Sequence, residues 1–244
     1  MRAATFNVAW SYQQQAKVIL YIMNESYIDR KNAIELRLKN NGINDIDIKY
    51  LPYLDFDPDL FASPFDVGCR IMILLALSYV VNNESLLTKI IEWLKREKIW
   101  EYVSPKEQLL FEGKVTDKRS LISFSWQIES AYVLAWTLGL VTELSEDCEP
   151  MNDSEFDEFN KNIPPIGDNL SGFLSNLKYI NKSKIIDENL FNELVTTHLR
   201  DSYFSGKSST SNINPTVSLE RHKSLNWLRR FTGIEEWDET DTST

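Results

Sequence analysis

Residues 67–81, VGCRIMILLALSYVV, are the most apolar stretch of the chain and carry one charge, Arg70. Fifteen residues fall short of the ~20 that a helix needs to cross a bilayer. The stretch is apolar all round rather than along one stripe, so it must be a core helix enclosed by other helices. Its start is marked by Ser63-Pro64-Phe65-Asp66: an N-cap serine, a proline at the first helical position and an acid three residues after the cap. Arg70 adds a second demand. An unpaired charge in a core is very unfavourable, so this helix must meet a partner for its guanidinium.

The rest of the chain can supply the enclosing helices. Gly and Pro number eight each in 244 residues, below the usual ~7 % and ~5 %, and scarce breakers favour long helices. Ser104-Pro105-Lys106-Glu107 reads as a capping box. Leu86, Leu87, Ile90, Ile91 and Leu94 form a helical stripe. SWQIESAYVLAWTLGL is apolar nearly all round and stops at Gly139, and Asp187 opens a helix through Leu199. Near the N-terminus, Phe6, Val8 and Trp10 alternate, as do Ile46, Ile48 and Tyr50. Between them lies a helical stretch, broken near Asn24-Glu25-Ser26 and capped at Gly42. The expected fold is mainly α: a multi-helix bundle with at most one small two-stranded β element near the N-terminus. Residues 1–29 read as an N-terminal extension of strand and helix. Residues 30–244 read as a single α-helical domain, with an acidic loop or hinge at about 143–158.

Charge narrows the partners. The net charge is −10, which disfavours nucleic acid because affinity for phosphate backbones comes from clustered Lys and Arg. It suits a basic protein partner, steered by the opposite field. The acids concentrate between Glu143 and Glu158, where eight stand with no base. Glu143, Glu146, Asp147, Glu149, Asp153 and Glu155 make a candidate partner-binding surface. Cys69 and Cys148 show no pairing pattern, and MRAATFNVAW lacks the features of a signal peptide. A cytoplasmic location with no membrane association is the expectation.

Several motifs fail on their own chemistry. Gly206-Lys207-Ser208 resembles the end of a phosphate loop, but Asp201 stands where a glycine is needed. Asp55, Asp57, Asp59 and Asp66 have calcium-loop spacing, yet Leu60 replaces the turn glycine and Pro58 stiffens the loop. HExxH, CxxC and GxSxG do not occur. No cofactor and no metal site is expected.

More informative are charges within apolar faces. In VSLERHKSLNWL (217–228), steps of about 100° per residue place Glu220 and Arg221 inside the arc of Val217, Leu225, Trp227 and Leu228. His222 and Asn226 fall at its flank and Lys223 faces outward. Glu129 lies on the side of its helix that carries Trp126, Val133 and Trp136. Arg70, Glu129, Glu220 and Arg221 sum to zero charge, which suggests one buried charge network. As catalytic candidates, Glu129 and Glu220 would be two carboxylates in unlike environments, with His222 at the rim as a further acid–base group. As structural residues, the same groups would fix helix register.

A set of segments then carries a resemblance: RKNAIELRLKNNGI followed by LPYL, DVGCRIMILLAL, SPKEQLLF, SFSWQIESAYVLAWTLGLV, VSLERHKSLNWL and the closing WDETDT. In order, from about Arg30 to the end, they resemble a bacterial family known only as domain of unknown function 4272. The chain departs from it in two places. The family often has Arg between Trp126 and Glu129, where this chain has Gln127 and Ile128, and a His-Trp pair is replaced near Thr196 and Thr197. The resemblance implies an α-helical domain and singles out Arg70, Trp126, Glu129, Glu220, Arg221, His222, Asn226 and Trp227. It implies no activity.

Three functions compete. The first is a non-catalytic protein-binding module, such as an immunity-type inhibitor of a basic toxin or nuclease. The second is a hydrolase or transferase using Glu129, Glu220 and His222, and the third a structural or regulatory subunit. Charge and the lack of a catalytic motif favour the first.

Overall fold

The computed structural model describes residues 27–46, 60–206, 208–209 and 211–242. The alternating segments at Phe6–Trp10 and Ile48–Tyr50, the break near Asn24 and the acids Asp55, Asp57 and Asp59 lie outside these residues, as does Lys207. Among the described residues the fold is mainly α and contains no strand.

The elements are α1 (27–40), α2 (Pro64–Asn82), α3 (Leu87–Arg96), α4 (Pro105–Phe111), α5 (Lys118–Thr137), α6 (Asp153–Asn162), α7 (Ser171–Ser175), α8 (Lys182–Phe204) and α9 (Pro215–Leu228). Short 3-10 turns occur at Glu84–Leu86, Trp100–Tyr102, Phe231–Gly233 and Trp237–Glu239. Local sequence explains most of the boundaries. Ser63 and Ser104 each close a full capping box, with Asp66 and Glu107 respectively. Gly139 stops α5 with φ +70°, and Leu140 N–H reaches back to Ala135 O at 3.0 Å. Gly42 ends α1 in the same way, at φ +82°. One boundary differs from expectation. Helix α8 begins at Lys182, five residues before Asp187, because Asn181 caps Ser183 N–H and both Ile185 and Ile186 are buried. Asp187 pairs instead with Arg30 of α1 at 2.6 Å.

The packing forms a series: α2 lies against α5, α5 against α9, and α9 against α8. Helices α5 and α9 are therefore sandwiched and buried on more than one face. Helix α2 is, by length and composition, able to cross a membrane, yet 72 % of its apolar window is buried inside the protein. Helix α7 closes over α2 at Gly68, where a β-carbon would lie 2.4 Å from Leu177 Cδ1. A larger residue there would require the side chains of Leu177 and Leu174 to shift.

Candidate functional site

The charged residues expected to share one network are distributed over separate partners. Arg70 (5 % exposed) meets Glu107 (1 % exposed), with Nη1 at 2.7 and 2.8 Å from the two carboxylate oxygens. Its Nη2 donates to Tyr102 O at 2.7 Å. Glu107 Oε2 also accepts from Ser104 N–H at 2.8 Å, so the capping-box acid of α4 is at the same time the counter-ion of Arg70. Trp227 and Trp237 pack edge to face, and the Arg70 guanidinium lies 5.7 and 4.8 Å from their ring centres. After these rings, Asp238 accepts from Ser104 Oγ and Lys106 N–H, each at 2.8 Å, and so ties the C-terminal segment to the start of α4.

Arg221 is 1 % exposed and turns away from Arg70. Its Nη1 and Nη2 donate to Ser145 O and Ser145 Oγ, both at 2.9 Å. Nη1 also lies 3.7 Å from Glu188 Oε1, and Glu188 in turn pairs with Arg37. Arg37 donates to Ser145 O and Glu146 O, with its guanidinium 3.6 Å from the centre of the Phe191 ring. Cys148, fully buried at φ +53°, donates its thiol to Asn192 Oδ1 at 3.5 Å. Burial pushes that thiol up to about 11 and the thiol of Cys69 up to about 12, so both stay protonated and weakly reactive at neutral pH.

Glu129 is 4 % exposed, and Oε1 accepts from Met151 N–H at 2.9 Å. Among the described residues its Oε2 has no hydrogen-bond partner, and burial raises the carboxyl above the ordinary range. Glu220 is half-buried and accepts from Ser130 Oγ at 2.6 Å, and burial raises its carboxyl too. Ser145, Cys148 and Met151 all belong to the loop that opens the acidic stretch. Arg37, Arg221 and Glu129 therefore hold that loop from beneath. The stretch 143–158 divides into this fastened loop and the helix α6. Of the candidate surface acids, Glu143, Glu146, Glu149 and Asp153 are exposed. Asp147 and Glu155 are half-buried, with Glu155 turned back to Asn152 N–H at 2.8 Å.

His222 departs from its expected place at the rim and is 1 % exposed. Helix α8 covers the flank that the apolar arc left open, and a seam of polar side chains fills the join. His222 Nδ1 lies 3.2 Å from Thr196 Oγ1, whose proton goes to Asn192 O at 2.7 Å. Asn226 Nδ2 donates to His222 Nε2 at 3.0 Å and to Asp241 O at 2.9 Å. These partners fix a neutral imidazole with its proton on Nδ1. The seam continues through Asn189, which donates to Asn226 Oδ1 and accepts from the buried Arg229. Burial, then Arg200 and Arg229, push the imidazole down to about 4. The other histidine, His198, lies 2.8 Å from Asp45 Oδ1 and 3.1 Å from Ser209 Oγ. Among the described residues no cluster of metal-ligating side chains forms.

Three cavities border these groups. One of about 240 Å³ lies beside Arg70, Tyr102 and the two tryptophans. One of about 650 Å³ lies beside Arg37, Glu143, Glu146 and Glu188, and one of about 340 Å³ beside Lys106, Gln127 and Lys223. Glu129, Glu220 and His222 line none of these three. Glu107 was read from sequence only as a capping-box acid, and Glu188, Asn192 and Ser145 were not singled out. A signal existed for part of this set: Glu188 and Asn192 follow, with Thr196, at four-residue steps along one face of α8.

Fold and site together define a mainly α protein whose buried polar groups brace a surface loop and join its central helices. The chain belongs to the family described as Domain of unknown function (DUF4272), which matches residues 30–240. No curated protein and no solved structure matches it.

Proposed function

We propose that this chain is a non-catalytic protein-binding module that receives a basic protein on the acidic ledge at residues 143–153, as an immunity-type inhibitor of a basic toxin or nuclease would. The observation that carries the reading is the bracing of the ledge. Glu143, Glu146, Glu149 and Asp153 stand exposed on a segment whose backbone is gripped by Arg37, Arg221 and Glu129. A loop held in one shape loses little entropy on binding, and its negative field accelerates encounter with a positive partner. The hydrolase or transferase reading draws less support. A general base needs a free nitrogen within reach of substrate, whereas both nitrogens of His222 are occupied in a buried seam.

The test is affinity capture from the source organism with wild type and with a Glu143→Lys, Glu149→Lys, Asp153→Lys variant. A basic protein is expected on the wild-type column, lost from the variant, and released as salt rises from about 0.1 to 1 M, where screening shortens from ~10 to ~3 Å. Identical retention by both columns, or no specific retention, overturns the proposal.

A further inference from the structure

We propose that the cavity between α4, the first turns of α5 and α9 binds a small organic anion with an apolar body, its charged head held by Lys223 and Lys106. Its volume of about 340 Å³ lies in the range of small-molecule sites, roughly 300–1,000 Å³. Lys223 is the observation that points to a ligand. The outward-facing lysine expected from helical phase is half-buried against the cavity, its amine 4.4 Å from the Trp237 ring centre. Among the described residues this amine makes no hydrogen bond or ion pair. The carboxylates that face it are committed elsewhere: Glu107 gives both oxygens to Arg70, Asp238 takes Ser104 Oγ and Lys106 N–H, and Glu220 takes the hydroxyl of Ser130. Burial lowers the pKa of the amine, although Glu220, Glu107 and Asp238 act to raise it.

The other lining groups complete the chemistry. Lys106 is exposed at the mouth, and among the described residues its amine donates to the neutral carbonyl of Asp238 alone, at 3.3 Å. Gln127, 8 % exposed, also lines the cavity, and its side-chain oxygen has no hydrogen-bond partner among the described residues. Leu109 and Phe124 supply an apolar wall, with Leu109 44 % exposed. The lining thus carries two ammonium groups against one engaged carboxylate in a chain of net charge −10. A carboxylate or phosphate head would give the stranded amine its ion pair, while a hydrocarbon body covers Leu109 and Phe124.

Titrating the full chain with hexanoate, hexyl phosphate and hexanol, followed by tryptophan fluorescence, tests the assignment, since Trp237 lies against the Lys223 amine. Either anion should saturate with a Kd below about 1 mM, and hexanol should bind at least about tenfold more weakly, the scale of one charge-assisted hydrogen bond. Lys223→Met and the surface variant Lys106→Met should each weaken the anion by a similar factor. Lys223→Arg should retain it within about threefold. Hexanol binding as tightly as the anions, both Met variants binding like wild type, or no saturation by either anion each overturns the proposal. Lys106→Met keeps the test sharp should Lys223→Met lose the fold. The ledge at 143–153 takes no part in this site, so the two proposals fail independently.

Discussion

At the scale of single residues, His222 illustrates how a group that looks reactive becomes structural. Each ring nitrogen has one role, Nδ1 donating to Thr196 and Nε2 accepting from Asn226, and a second proton would have to displace Asn226 Nδ2. The folded chain therefore takes up that proton only near pH about 4, whereas the unfolded chain takes it up near 6.5. The contribution to stability is complete above pH about 6.5 and is lost as pH falls toward about 4, by about 3 kcal/mol at most. Glu129 and Glu220 act in the opposite sense: with raised carboxyls, the stability they confer when protonated declines as pH rises through their folded-state values. Urea denaturation of wild type and His222→Leu between pH 4 and 7.5 separates the two effects. The variant should be less stable at neutral pH because Thr196 and Asn226 lose their partner. The difference between wild type and variant should shrink as the pH falls. A difference independent of pH would contradict the neutral tautomer.

At the scale of elements, α4 is short but its capping acid has two duties. Glu107 closes the turn on Ser104 N–H and neutralises Arg70 in the core helix α2. Glu107→Ala removes both and leaves a buried guanidinium without its counter-ion, which should cost about 3–5 kcal/mol. Glu107→Gln keeps an oxygen for Ser104 N–H, since Gln serves in capping boxes, and should cost distinctly less. Arg70→Met combined with Glu107→Gln should recover part of the loss of Arg70→Met alone. Chemical denaturation of the four variants measures each term, and equal losses for Glu107→Ala and Glu107→Gln would refute the double duty. The residues around this pair show how far local pattern reaches. Ser104 and Glu107 announce a capping box within four positions. That Arg70 receives this same acid, 37 residues away in sequence, depends on how α2 meets α4, and no local pattern encodes it.

For the molecule as a whole, the central helices and the acidic surface are mechanically linked. Arg221 on α9 and Glu129 on α5 reach past their own helices to the loop that carries Ser145 and Met151, and Arg37 on α1 reaches the same loop at Ser145. Arg221→Ala should loosen this loop locally: amide exchange at Met151 and its neighbours should quicken by roughly 10- to 100-fold relative to the amides of α2. Exchange that rises uniformly across the chain would show global destabilisation instead and contradict the bracing role.

Sequence by itself determined the helices and many of their ends, because capping serines, helix-stopping glycines and apolar periodicity act within a few residues of one another. It also marked Arg70, Glu129, Glu220 and Arg221 as charges on apolar faces that needed partners, since burying a charge is unfavourable wherever it occurs. Which partner each one took was decided only by the tertiary structure. Helical phase placed His222 and Lys223 relative to one apolar arc, but α9 is packed by α5 on one side and α8 on another. The seam through Thr196 and Asn226, the grip of Arg221 on Ser145 and the unmatched amine of Lys223 arise where elements distant in sequence converge. Their energies depend on distances that exist only once the chain has folded.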